Sequence, residues 1–230
     1  MDAALSSLSW TVSLNALSCG LFLLCAFGMV AARQVRGCLE FFIAQSAFLA
    51  ASAFLLGLQP FLWHLFVVGA LTVLTKILLI PWLLGRMLHE ALHTRREIDQ
   101  RINIPTSLLI GLALAVFAYV LTAPLLPAGD GEVARTNLPI GLATVLLGAY
   151  TLAVRREAMP SLFGLLGMES GALLAGIAIA PDMPLIAELV GAFDVLILAF
   201  IVGLFTRAIH QHIGSTDVGG LASLREEPSP

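Results

Sequence analysis

The chain has 230 residues, 59% of them hydrophobic and 12% charged, with a mean hydropathy of +0.95 and a net charge of −3. Soluble domains average about 25% charged residues, so this chain cannot clothe a water-soluble globule, and no nucleic-acid partner is expected. The bilayer must be part of its solvent, and about 20 apolar residues are needed per crossing.

Apolar runs fall at 11–32, 38–58, 62–84, 105–126, 138–154, 160–180 and 185–207. Arg33-Gln34-Val35-Arg36 separates the first two, and Gln59-Pro60 the next. A polar stretch from Arg86 to Asn103 follows the third. Pro124, Pro127 and the turn Gly129-Asp130-Gly131-Glu132 end the fourth. Arg155-Arg156-Glu157 ends the fifth, and Pro181-Asp182-Met183-Pro184 the sixth. Helices satisfy their own backbone in lipid, and the alternation of a β-barrel is absent. The expected fold is an all-α polytopic membrane bundle of about seven transmembrane helices. Three segments are expected: 1–104 with a basic loop, a connector 105–137, and 138–230 with a tail. The first run is too long for a signal-peptide core and lacks a charged n-region, so it is read as a retained span.

Ten arginines (33, 36, 86, 95, 96, 101, 155, 156, 207 and 225) fall on one side of a seven-span chain. Only Arg135 falls on the other, beside Asp130 and Glu132. The positive-inside rule then puts the N-terminus outside and the C-terminus in the cytoplasm, in the cell inner membrane. The cysteines Cys19, Cys25 and Cys38 lack metal-site spacing and are read as small buried hydrophobes.

Charges inside spans cost about 2.5–3.5 kcal/mol each to insert, so Lys76, Glu169, Glu188 and Asp194 stand out. Glu169 is 13 residues after Arg156, and Asp194 is 13 before Arg207. Both carboxylates therefore lie roughly 20 Å from the inner boundary at 1.5 Å per residue. Groups so placed can pass a proton along a wet path; the bland alternative is hydrogen bonding to a neighbouring helix. Lys76, ten residues before Arg86, lies about 15 Å in. Glu188 is near an outer interface and suits snorkelling. Glu40 follows Arg36 by four residues, the spacing of a helical ion pair.

His89-Glu90-Ala91-Leu92-His93 matches the H-E-x-x-H pattern of zinc proteases. No third ligand is evident, and a basic helix end at the inner face accounts for the same residues.

The motifs Arg155-Arg156, Gly167-Met168-Glu169 and Ala192-Phe193-Asp194, with Arg207 beyond them, make 138–225 resemble subunit K of proton-pumping NADH–quinone oxidoreductases. Asp194 stands where that family usually has Glu. The tail from Ser215-Thr216-Asp217 to Leu224-Arg225 is similar too. With four further spans and the run Thr75-Lys76-Ile77-Leu78-Leu79-Ile80-Pro81, the whole chain resembles component E of hydrogenase-4 and formate hydrogenlyase complexes. The resemblance implies a non-catalytic membrane-arm subunit with Glu169 and Asp194 on a proton path. It also implies antiporter-like and quinone-side-type membrane partners and a hydrophilic hydrogenase arm. Iron–sulfur clusters and a NiFe centre would sit on partner subunits, with no cofactor on this chain.

Gln45-Ser46-Ala47-Phe48-Leu49 and Glu169-Ser170-Gly171-Ala172-Leu173 occupy comparable places, each in the helix after an arginine-bearing loop. That hints at a 3+1+3 repeat in which Gln45 and Lys76 replace acids and Pro81 kinks the lysine's helix. The other readings are a structural scaffold, a subunit of a cation/proton antiporter, and the zinc protease.

Overall fold

The computed structural model describes residues 2–58, 62–82, 103–126, 131–155 and 158–179. Within them lie six helices long and apolar enough to cross a membrane. In chain order they are α1 (Asp2–Ala31), α2 (Val35–Leu58), α3 (Trp63–Thr72), α4 (Ile104–Thr122), α5 (Glu132–Val154) and α6 (Ala158–Ile179). The π-helix Val73–Leu79 continues α3, and the 3₁₀ turn Ala123–Leu125 ends α4. The fold is an all-α membrane helix bundle. The expected span 185–207 lies outside the described residues, as do Glu188 and Asp194.

Five expected spans match closely, the first as the apolar part Trp10–Ala31 of a helix that starts at Asp2. The fifth begins at Glu132 rather than at 138. Gly131 is extended at the N-cap and Glu132 sits in the first turn, where a carboxylate complements the helix dipole. The polar stretch Arg135-Thr136-Asn137 is therefore helix, and Pro139 is carried inside it.

The middle of the molecule is formed by α1, α2, α5 and α6. Lipid supplies no hydrophobic drive between helices, so close approach depends on small residues. Antiparallel α5 and α6 show this most clearly. A Cβ added to Gly141 would lie 2.6 Å from the Gly171 carbonyl oxygen, and one on Gly148 would lie 2.5 Å from that of Gly164. The two backbones touch at both places. Helices α1 and α5 run parallel: Asn15 meets Asn137 near one end, and Arg155 meets Met29 at the other. Helices α2 and α6 are also parallel, with Phe42 against Phe163 and, further along, Leu49 clustered with Leu173 and Leu174. Helix α4 is the least buried of the six, at 22%, and turns Leu109, Leu112, Val116 and Val120 outward.

The π-helix has a local cause. Pro81 has no N–H and its ring crowds the carbonyl four residues back. Just before it, the Ile80 N–H bonds the Thr75 carbonyl, five residues back. Thr72 and Thr75 hydroxyls also donate to the carbonyls of Val68 and Leu71, a type of bond that competes with the helical ladder.

Candidate functional site

Two apolar clusters bracket a polar layer. One contains Phe42 of α2, Ile80 near the end of the lysine's helix, and Phe163 and Leu166 of α6. The other contains Leu49, Val68, Leu173 and Leu174. Between them along the same helices lie Gln45 and Ser46, then Thr72, Thr75 and Lys76, then Glu169 and Ser170. Of these, Gln45, Ser46, Thr72 and Ser170 are 0% exposed and Lys76 is 1% exposed.

The ionic centre of this layer is Lys76 with Glu169. Lys76 Nζ lies 3.2 Å from Glu169 Oε1 and donates to Ser170 Oγ at 3.2 Å. The carboxylate contact is ionic rather than a well-aligned hydrogen bond, since neither Glu169 oxygen has a hydrogen-bond partner among the described residues. Residue counting puts Lys76 and Glu169 about 5 Å apart in depth; the long lysine stem spans that difference. The π-helix presents Lys76 inward, and π turns occur often at functional sites.

Other sequence candidates fall elsewhere. Arg36 Nε donates to Glu40 Oε1 at 3.0 Å on the surface, the four-residue pair that the spacing suggests. The motif His89-Glu90-Ala91-Leu92-His93 lies outside the described residues. Among the described residues no group of three or more His, Cys, Asp or Glu could hold a metal ion. All three cysteines are free and buried.

A second polar cluster joins α1, α2 and α5 in the other half of the bundle. Asn15 Nδ2 donates to Asn137 Oδ1 at 2.9 Å, and Ser52 Oγ donates to Asn15 Oδ1 at 2.6 Å. The Cys19 thiol lies 3.1 Å from Asn137 Oδ1, so Cys19 is more than an apolar filler. The cluster is not legible in the sequence, where Asn137 falls in the connector before the fifth apolar run. Its available signal was the paired asparagines, each near the start of an apolar run.

Arg155 has a structural role that charge counting does not show. Its Nη2 donates to the carbonyls of Met29, Val30 and Ala32 at 2.9, 3.0 and 2.8 Å. These lie at the C-terminus of α1, where the last carbonyls lack intrahelical donors and the dipole favours a cation. A water-sized cavity beside it is lined by Val30, Ser107, Tyr150, Thr151, Val154 and Arg155. Tyr150 donates to Ser107 Oγ across its edge at 3.0 Å.

Among the described residues, six apolar spans and a buried lysine beside a largely enclosed glutamate define a multi-pass membrane protein. The chain is 26% identical over 215 residues to hydrogenase-4 component E of Escherichia coli, covering 90% of this chain and 94% of that one. It is 28% identical over 194 residues to an uncharacterized protein of Mycobacterium tuberculosis, covering 84% and 88% of the two chains. No protein-family model and no solved structure matches. Along nearly its whole length, then, the chain is similar to hydrogenase-4 component E.

Proposed function

We propose that this chain is a membrane subunit of a multisubunit hydrogenase-type complex, and that it handles protons at the Lys76–Glu169 pair. The carrying observation is the pair itself: a lysine 1% exposed, 3.2 Å from a carboxylate, midway along two apolar helices. Such a pair is costly in lipid and is weak evidence for stability alone, since buried ion pairs often stabilise less than apolar packing. Either partner can exchange a proton when its surroundings change. The likeness to hydrogenase-4 component E supports the assembly. In this reading Asp194 continues the path beyond Glu169, and 138–225 acts in the manner of subunit K. The path joins antiporter-like and quinone-side-type membrane subunits, and the metal centres belong to the hydrophilic arm. The chain has seven spans in the inner membrane, with its N-terminus outside and its arginine-bearing loops and C-terminus in the cytoplasm.

The test uses the assembled complex in inverted vesicles, with Glu169→Gln, Asp194→Asn and the double variant Lys76→Met/Glu169→Gln. The proton-path reading expects assembly to survive in the double variant while proton translocation falls at least tenfold. If translocation and assembly are both unchanged in all three, the path reading fails. Loss of assembly alone favours the scaffold reading.

A further inference from the structure

Gln45 is the most unusual buried group that the ion pair leaves unused. It is 0% exposed on α2, and neither Nε2 nor Oε1 has a hydrogen-bond partner among the described residues. A buried amide with both ends unpaired is rare, because native structures satisfy such groups with protein or with internal water. Glu169 presents the same problem one helix away: both of its oxygens are buried and without hydrogen bonds among the described residues.

The register places these two groups at the same level on neighbouring helices. Helices α2 and α6 are parallel. Phe42 packs with Phe163 and Leu166 below this level, and Leu49 with Leu173 and Leu174 above it. Gln45 lies three residues past Phe42, and Glu169 three past Leu166. Gln45-Ser46 thus holds on α2 the place that Glu169-Ser170 holds on α6. Packed helices stand about 8–10 Å apart. Neither the amide nor the carboxylate hydrogen-bonds the other, so a bridge of one or two waters is what would join them. The apolar clusters on either side leave such water few other partners.

We propose that Gln45 and Glu169 form an internal water-binding site, in which Gln45 is a positioning residue that holds water against the Glu169 carboxylate. An amide is well suited to this, since Nε2 donates to the water oxygen, Oε1 accepts from it, and neither end changes charge. The water donates to Glu169 on the side away from Lys76. This deepens the proton-handling reading of the same layer, but its test reads water and stability rather than transport, so either idea can fail while the other stands.

The experiment uses the full chain in lipid nanodiscs, wild type against Gln45→Met and Gln45→Glu. Infrared spectra are compared in ordinary and oxygen-18 water, followed by thermal unfolding. The expected result is an isotope-sensitive O–H stretch from weakly bonded buried water in the wild type. Gln45→Met should lose it and Gln45→Glu should keep it. If the amide holds water, Gln45→Met should lower Tm by about 2–4 °C or more. If the amide is truly unpaired, the same change should leave Tm equal or raise it, because removing an unsatisfied buried group is neutral or stabilising. A raised or unchanged Tm in Gln45→Met overturns the proposal. So does an isotope-sensitive band that survives in Gln45→Met or is absent from the wild type, and so does its loss in Gln45→Glu.

Discussion

Asn15 on α1 donates to Asn137 on α5 at 2.9 Å across 122 residues of chain, and both side chains are fully enclosed. The bond fixes two parallel helices that have no short loop between them. With Ser52 donating to Asn15, three helices share one polar knot. Replacing Asn15 with Leu should cost about 1–3 kcal/mol, because Ser52 and Asn137 then lose a partner in a dry site. The Asn15→Leu/Asn137→Leu double variant should cost clearly less than the sum of its singles. Reversible unfolding of the four proteins measures this coupling, and additive singles would show that the two asparagines do not support one another.

The Lys76–Glu169 pair yields a similar cycle with bigger effects. Lys76→Met alone leaves a buried carboxylate uncompensated and should destabilise by about 3–5 kcal/mol. Adding Glu169→Gln should recover most of that loss. Unfolding of the purified chain reads stability separately from transport, and an equally damaging double variant would show that the charges matter beyond each other.

At the α5–α6 seam the glycines leave no room for a side chain. Gly148→Leu would force its Cβ to within 2.5 Å of the Gly164 carbonyl oxygen, with the rest of the side chain still to be placed. The chain should fail to fold as a monodisperse species. Gly176→Ala is the matched control on α6, since a Cβ there meets nothing within 4 Å. Size-exclusion profiles in detergent distinguish the two, and a well-behaved Gly148→Leu protein would contradict the close backbone contact.

Arg155 should prove irreplaceable by lysine in one respect. Its guanidinium Nη2 meets three carbonyls within 3.0 Å, whereas an ammonium on a flexible stem is less preorganised for that cluster. Arg155→Lys keeps the charge and Arg155→Leu removes it. Hydrogen exchange at residues 29–35 should quicken in both, more in the leucine variant. Unchanged exchange in both would mean that α1 ends without help from this side chain.

Much of the fold was legible because a span is a length and a composition, and polar or proline breaks bound each one. The described helices follow those breaks except at Glu132, where three polar residues read as loop are helical. That one boundary concealed the Asn15–Asn137 contact. Lys76 and Glu169 were conspicuous as charges in apolar runs, but their contact was not legible, since depth counting fixes levels and says nothing about azimuth around a helix. The glycines of α5 and α6 recur at a spacing of seven residues. That spacing was a usable signal, yet only packing reveals that the glycines face one another.

The pairing of Lys76 with Glu169 also bears on biogenesis. The lysine is synthesised well before its carboxylate, and a lone lysine near mid-bilayer costs about 2.5–3.5 kcal/mol to insert. Until α6 emerges, the third helix must wait at the insertion machinery or with its ammonium drawn toward the headgroups. Final pairing of that lysine is thus a late event, which follows the emergence of Glu169 rather than that of its own helix.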